Sequence, residues 1–294
     1  MNIVVCIKQI PDTEGLIEID RDKATIKKEG LPLVVNPYDL VAVEEAVQLK
    51  ERLGMSQVTV VSMGPPPVQD AVRNCLAMGA DRGLILWDEA FRNSDSFATA
   101  IALAKVIAGL QPDLILCGQK ALDTESGQVG AVIALKLNVP MVSAVVKIEP
   151  YDGTKKIRVH HKLGKGAREV IELSLPALLT LEIGSTKPRY PNLHSIIAAK
   201  KKVLAENDLK TCNINADEVG QHGSKTKILS MSTPKPVSTR LFSVDTSLPA
   251  GQQLGLLMTG GITQKKGKLS RGDPKQAASD VIRFLCEKKL LNIS

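Results

Sequence analysis

The sequence predicts an α/β fold, namely a doubly wound and mainly parallel sheet followed by an antiparallel excursion and a C-terminal arm. Short β-rich apolar runs alternate with amphipathic helical segments over residues 1–138, the order typical of parallel strands joined by crossover helices. From about residue 141 the apolar pieces become shorter and lie between turns. Beyond residue 204 the hydrophobic periodicity weakens.

The first unit opens with residues 2–8 (NIVVCIK), a buried strand of the kind that begins many α/β sheets. A polar, hairpin-like stretch follows over residues 12–30. Asn36 then predicts a helix cap, with Pro37 at the first helical position and Asp39 three residues after the cap. The helix has an apolar stripe and ends at a glycine: Ala42, Ala46, Leu49, Leu53 and Gly54.

The next three units repeat this order of strand, turn and helix. Their strands are predicted at residues 58–62, 83–87 and 113–117. Each strand is followed by a predicted helix. The second and third of these helices lie near residues 94–109 and 126–138. The first has an apolar stripe closed by a glycine: Val68, Ala71, Val72, Cys75, Leu76 and Gly79.

Three β-like pieces then form the antiparallel excursion: VSAVVKIEP, KKIRVHHKL and REVIELS. The Asp152-Gly153 pair is typical of a hairpin turn, and residues 164–166 separate the second piece from the third. Residues 178–182 (LLTLE) return to the main sheet.

We expect residues 1–204 to form an α/β domain and residues 205–294 an extended arm. Residues 205–275 are rich in Ser, Thr, Gly, Pro and Lys, and their few apolar positions are too sparse for an independent core. An amphipathic helix is predicted over residues 274–292.

The composition disfavours several classes of protein. Five cysteines without a CxxC pair predict reduced thiols rather than a disulfide framework or a metal site. The net charge of +7 could suit nucleic acid, but aromatic residues are only 3% and the lysines are scattered. The N-terminus lacks a long apolar signal segment, and no apolar run reaches the roughly 18 residues of a membrane span. We therefore expect a cytoplasmic protein that binds no nucleic acid.

The loop after the fourth strand, CGQKALDTESGQVG, is the most informative for function. Its glycines, at positions 118, 127 and 130, permit close backbone approach, while Thr124 and Ser126 can donate to a phosphate at a helix start. The spacing matches neither a Walker A loop nor GxGxxG, so ordinary turn and cap residues explain it equally well. Asp123 and Glu125 have no partner base, and the sequence predicts no catalytic residue and no metal ligand.

Several longer motifs, in this order and spacing, resemble the electron-transfer flavoprotein beta-subunit family over residues 1–203. They are VVCIKQIPD, NPYDLVAVEEAVQLKE, VTVVSMGPP, LAMGADRG, PDLILCGQKALDTESGQVG and LPALLTLEIGSTKPRYPNLHSIIAAKKK. The resemblance implies an adenine-nucleotide alpha-hydrolase-like fold and a heterodimer whose alpha subunit carries the redox FAD. It also implies that residues 1–204 are a nucleotide-binding domain, whose site holds AMP or, in electron-bifurcating members, a second FAD. The arm at residues 205–294 would then pack on the partner subunit.

The resemblance further implies which residues hold the nucleotide and which dock a partner. The nucleotide set is Cys6, Asn36, Asp39, Met63, Gly64, Gly118, Asp123, Thr124, Gly127, Gln128, Val129 and Gly130. The segment PRYPNLHSI resembles the family's recognition loop, in which Leu193 would dock an acyl-CoA-type or other dehydrogenase. Without the resemblance, Leu193 would be an ordinary apolar residue at a helix start.

The choice of nucleotide follows from finer motifs. The MGPP turn, residues 87–96 and residues 124–130 resemble the bifurcating members more than the AMP-holding ones. From this resemblance we expect a beta-site FAD that takes a hydride from NADH and splits its two electrons, the alternative being a simple carrier with structural AMP. The chain departs from the family pattern near the expected pyrophosphate contacts, since Ser126-Gly127 replaces a bulkier pair and Ala131 stands where a proline is common. A nucleotide-hydrolysing protein of the universal-stress or ATP-pyrophosphatase type, or a structural scaffold without flavin, would be the rival classes.

Overall fold

The computed structural model describes residues 1–12, 15, 19–20, 25–26, 30–149, 155–230, 247–258 and 273–287. Contacts within the chain divide it into two compact units, Met1–Thr233 and Pro234–Ser294. The predicted turn at Asp152-Gly153 lies outside the described residues.

The first unit contains all of the described strands. They are β1 Asn2–Ile7, β2 Gln9–Pro11, β3 Ile19–Asp20, β4 Thr25–Ile26, β5 Leu33–Val35, β6 Gln57–Met63, β7 Arg82–Leu86, β8 Leu114–Gly118, β9 Met141–Ile148, β10 Lys156–Lys162, β11 Arg168–Ser174, β12 Ala177–Leu181 and β13 Ala205–Asn207. Its helices are α1 Pro37–Leu53, α2 Val68–Met78, α3 Ser96–Leu110, α4 Val129–Leu137, α5 Leu193–Lys201 and α6 Gly220–Gly223.

The main sheet has nine strands in the order β11-β10-β9-β12-β8-β1-β6-β7-β13. From β9 to β13 the neighbouring strands run parallel, whereas β10 and β11 pair antiparallel at one edge. From β1 the chain proceeds outward through β6 and β7, then crosses back to form β8 on the other side of β1. The two halves of the sheet therefore diverge between β1 and β8, the topological switch point at which open α/β sheets bind ligands.

Two apolar cores cover the two faces of the sheet, because successive side chains of a strand point to opposite faces. Val5 of β1 belongs to the core that includes α1 and α2, whereas Val4 belongs to the core that includes α3 and α4. The mainly parallel, doubly wound sheet is thus confirmed. The antiparallel excursion and the return of β12 to the main sheet are confirmed as well.

Most predicted elements lie where expected, and the differences are local. Helix α1 begins at Pro37 and is followed by Gly54, and the whole predicted stripe of α2 is buried. Helix α4 begins at Val129 rather than near residue 126, because residues 123–128 stay exposed as a loop. Past residue 204, β13 adds an edge strand to the sheet beside β7. The packing of the arm on a partner stays a prediction.

The second unit contains two described helices, α7 Ala250–Met258 and α8 Pro274–Glu287. Both expose apolar side chains: Leu254, Leu257, Met258, Val281, Ile282 and Phe284. Helix α8 lies in the predicted segment, whereas α7 falls where the sequence pattern predicts no helix. Among the described residues, no helix has both the length and the apolar content that crossing a bilayer requires.

Candidate functional site

The carboxyl ends of β1, β6 and β8 meet at the switch point of the sheet. Strand β1 lies between the other two, with Cys6 opposite Val61 on one side and Cys117 on the other. The loops that follow these strands therefore share one edge with the start of α1 and the start of α4. The structure brings most of the predicted site residues to this edge.

Asp39, in the first turn of α1, joins the ends of β1 and β8. Its Oδ2 accepts a hydrogen bond from the Lys8 backbone N–H at 2.7 Å, and its Oδ1 accepts one from the Gly118 N–H at 3.0 Å. The side chain is buried, with 6% of the residue exposed. A Cβ on residue 118 would collide with Asp39 Oδ1 and lie 2.7 Å from Tyr38 Cβ. This packing explains the glycine at position 118.

Asn36 holds the loop that follows β8. Its Nδ2 donates to the Lys120 carbonyl at 2.9 Å, and its Oδ1 accepts from the Leu122 N–H at 3.3 Å. The expectation that the Asn36 side chain caps α1 is wrong, since it makes no capping hydrogen bond. The physical reason is competition, because the amide satisfies two backbone groups of the loop instead. The Asp39 carboxyl likewise accepts hydrogen bonds from the ends of β1 and β8 and forms no capping box.

The position of Asp39 makes its carboxyl sensitive to pH near neutrality. Burial raises the pKa of Asp39 from 3.8 to about 7, although the hydrogen bonds from Lys8, Asn36 and Gly118 and the Lys8 charge oppose this rise. The folded protein therefore keeps a proton that the unfolded chain loses at lower pH.

Stability should consequently fall as the pH rises from about 4 to about 7, by up to about 1.4 kcal/mol per pH unit from this group. The raised pKa means that the folded protein binds the Asp39 proton more tightly than the unfolded chain does. The resulting stabilisation is complete below pH 3.8 and is lost as the pH rises through about 7. Urea unfolding of the wild type and of Asp39→Asn across this range measures the difference in slope. Equal slopes would contradict the prediction.

Two lysines lie at the rim of the site. Lys8 Nζ is 2.6 Å from Asp123 Oδ2, and Lys120 Nζ is 2.8 Å from Glu125 Oε1. Each loop carboxylate is thus paired with a lysine, an arrangement that gives no general base. These partly exposed pairs contribute little to stability, but they keep two cations beside the loop. Both lysines are missing from the sequence-predicted set, although each closely follows the end of a buried strand.

The start of α4 offers backbone donors to an anion. The first N–H groups of a helix have no partner within it, and Gln128 makes no side-chain cap. Thr124 and Ser126 are exposed in the preceding loop, and Ser126 Oγ lies 2.8 Å from Ser96 Oγ at the start of α3. Gly127 has φ 60° and is exposed. This combination suits a phosphate group.

The remaining predicted residues have different surroundings. A Cβ at residue 130 would lie 2.8 Å from Thr180 Cγ2 of β12, so Gly130 permits α4 to pack on the sheet. Val129 begins α4 and is half-buried. Met63 ends β6 and Gly64 follows it, donating its N–H to the Leu86 carbonyl at 3.1 Å.

Leu193 belongs to a different surface, at the start of α5. It is 72% exposed, and the nearby Tyr190 is 92% exposed. Arg189 fixes this segment to α1 through ion pairs with Glu44 at 2.9 Å and Glu51 at 2.6 Å. Although burial opposes it, the Arg189 guanidinium lowers the pKa of Glu44. The exposed side chains therefore project from an anchored loop.

Comparisons with known proteins point to one family. The family model described as the electron transfer flavoprotein domain matches residues 23–211. Electron transfer flavoprotein subunit beta of Thermoanaerobacterium thermosaccharolyticum is 43% identical over 80% of this chain and 88% of its own length. Protein FixA of Azotobacter vinelandii is 37% identical over 82% and 86%, respectively. The caffeyl-CoA reductase-Etf complex subunit CarD of Acetobacterium woodii is 37% identical over 80% and 88%.

Proposed function

The chain belongs to the electron transfer flavoprotein family as a beta subunit, and from this premise we propose that it binds an adenine nucleotide at the switch point of its sheet. In a complex with an FAD-carrying alpha subunit, it would help to move electrons between a dehydrogenase and other acceptors. One observation carries the nucleotide proposal: Asp39 holds the carboxyl ends of β1 and β8 together beside the uncapped start of α4.

The described residues fit a nucleotide that bears phosphate. The phosphate oxygens would accept hydrogen bonds from the N–H groups at the start of α4 and from the hydroxyls of Thr124 and Ser126. Lys8 and Lys120 would offset the added negative charge from the rim. Asn36 and Asp39 would act as positioning residues, because their polar atoms already hold the loops.

We propose FAD as this nucleotide, on the strength of the MGPP turn and of residues 87–96 and 124–130. When bound, FAD would supply the redox chemistry, which is to accept a hydride from NADH and to pass on its two electrons one at a time. The chain's own residues place the cofactor and set the charges around it. AMP is the second candidate, because the uncapped start of α4 is sufficient for a single phosphate. The chain would then belong to a simple electron carrier.

The nucleotide content of the complex tests these proposals. The beta subunit is co-purified with its alpha subunit, the complex is denatured, and the released nucleotides are identified and counted against protein. Two FAD per heterodimer would support bifurcation, whereas one FAD with one AMP would favour the simple carrier. One FAD and no second nucleotide would reject the beta site.

Gly127→Leu should empty the beta site while the alpha-subunit FAD remains. The backbone at Gly127 has φ 60°, where a side chain costs about 1–2 kcal/mol, and the new side chain would crowd the approach to α4. Its Cβ would also lie 3.3 Å from the Gln119 carbonyl oxygen of the same loop. Nucleotide counts on the purified complex measure the loss.

Gly54→Leu provides the matched control for Gly127→Leu. Gly54 has φ 71° with open space around its Cβ position, and it lies at the far end of α1. The control also places a leucine at a positive φ and should keep both nucleotides. Full nucleotide content in Gly127→Leu, or equal loss in both variants, would contradict a phosphate site at this loop.

We also propose that residues 205–294 pack on the alpha subunit and that Leu193 docks the dehydrogenase, in the cytoplasm. The exposed apolar side chains of α7 and α8 support the first contact, since a partner could bury them. The exposed Tyr190 and Leu193 support the second. We assign no catalytic residue to this chain.

A further inference from the structure

Two cysteine thiols lie side by side beneath the proposed nucleotide site. Cys6 of β1 and Cys117 of β8 are directly opposite in register on neighbouring parallel strands. Both side chains belong to the core on the α3 and α4 face, and the residues are 7% and 5% exposed. The sequence alone separates these residues widely and gives no sign of the pair.

The strand geometry is compatible with a covalent bond between the two sulfurs. Neighbouring strands lie about 4.7–4.9 Å apart, within the Cα separation of about 4.4–6.8 Å that disulfides span. The Cβ atoms of a disulfide lie about 3.5–4.5 Å apart, so bond formation would draw the two strand ends together by somewhat less than 1 Å. Such a strained bond is readily reduced again.

We propose that Cys6 and Cys117 form a dithiol that a hydroperoxide oxidises to an intrachain disulfide, and that this oxidation weakens nucleotide binding. One sulfur attacks the peroxide oxygen to give a sulfenic acid and water, and the other sulfur then displaces that oxygen as a second water. Two thiols and one hydrogen peroxide thus yield one disulfide and two waters. The effect on binding rests on the proposed nucleotide site, whereas the disulfide does not.

Asp39 connects the dithiol to the site. The backbone N–H groups of Lys8 and Gly118 donate to the Asp39 carboxylate. Cys6 lies two residues before Lys8, and Cys117 directly precedes Gly118. Drawing the sulfurs together moves these donors relative to the buried acceptor. Loss of one such hydrogen bond should speed nucleotide release by about tenfold.

Access and reactivity limit which oxidants can act. A water-sized peroxide can reach thiols that are only slightly exposed, whereas bulky reagents cannot. The contact with the Cys6 thiol, burial and the Asp39 charge raise the pKa of Cys117, so oxidation should be slow at neutral pH and faster in alkaline solution.

The test treats the purified heterodimer with hydrogen peroxide, blocks the remaining thiols and maps peptides by mass without reduction. We expect a peptide pair joined through Cys6 and Cys117, two hydrogens lighter than the separate peptides and separated again by dithiothreitol. Nucleotide release is followed before and after treatment. The half-buried Cys212 shows by its own modification that the reagent is active.

Two variants isolate the effect of the dithiol. In Cys117→Ala, peroxide should no longer change nucleotide release. In Cys75→Ala, which removes a buried thiol from α2 on the opposite face, the response should match the wild type. Each variant is compared with its own untreated sample.

Absence of the Cys6–Cys117 peptide while Cys212 is modified would overturn the proposal. A disulfide that leaves nucleotide release unchanged would overturn its effect on binding. An untreated complex with no beta-site nucleotide would overturn the proposed site, and the effect on binding with it, while the peptide map would still decide whether the dithiol oxidises.

Discussion

Asp39→Ala should lower the free energy of unfolding by about 3 kcal/mol or more and empty the nucleotide site. The substitution leaves the N–H groups of Lys8 and Gly118 without their acceptor at the joined ends of β1 and β8. An unsatisfied buried donor costs about 1–3 kcal/mol, and two are created at once. Denaturant unfolding and nucleotide counts on the purified complex measure the two effects.

Asp113→Ala is the matched control for Asp39→Ala. The Asp113 carboxylate also accepts a backbone hydrogen bond, from Asn2 N–H at 2.7 Å, but at the amino edge of the same two strands and in an exposed position. The control should lose less stability and keep its nucleotide. If Asp39→Ala kept a full nucleotide content, or if both variants lost it equally, the carboxylate would have no specific role at the site.

The strands and helices of the sheet could be predicted because their signals are local. The α2 stripe repeats at helical spacing within one segment, and Gly79 and Gly54 mark where α2 and α1 end. The short apolar strands alternate with these helices, which indicates a parallel sheet without any knowledge of contacts. The boundaries differ by a few residues, most clearly at α4.

The roles of individual site residues could not be predicted, because they depend on contacts between distant segments. Gly118 and Gly130 suggest close approach of a ligand, yet Tyr38 and Thr180 fill the space beside them. Asn36 fits the pattern of a helix cap, but the Lys120 carbonyl and Leu122 N–H use its amide instead. A sequence pattern shows which groups are available, and tertiary structure decides which groups they bind.

Leu193→Ala should slow electron transfer with the dehydrogenase by about thirtyfold, through a loss of about 2 kcal/mol in docking. Leu193 and Tyr190 project from a loop that Arg189 already fixes to Glu44 and Glu51. Because the loop is anchored before docking, little conformational entropy is lost on binding, and the apolar anchor contributes most of its burial energy. The rate of electron transfer at limiting dehydrogenase concentration measures the effect.

Leu135→Ala is the control for Leu193→Ala, since Leu135 is 77% exposed on α4 and loses the same atoms from a different surface. It should leave the transfer rate unchanged, and both variants should keep the nucleotide content of the wild type. Arg189→Ala should reproduce part of the Leu193→Ala defect, because it frees the loop while retaining the leucine. Loss of flavin from Leu193→Ala, or an equal slowing in Leu135→Ala, would show instead that Leu193 supports the fold and does not dock a partner.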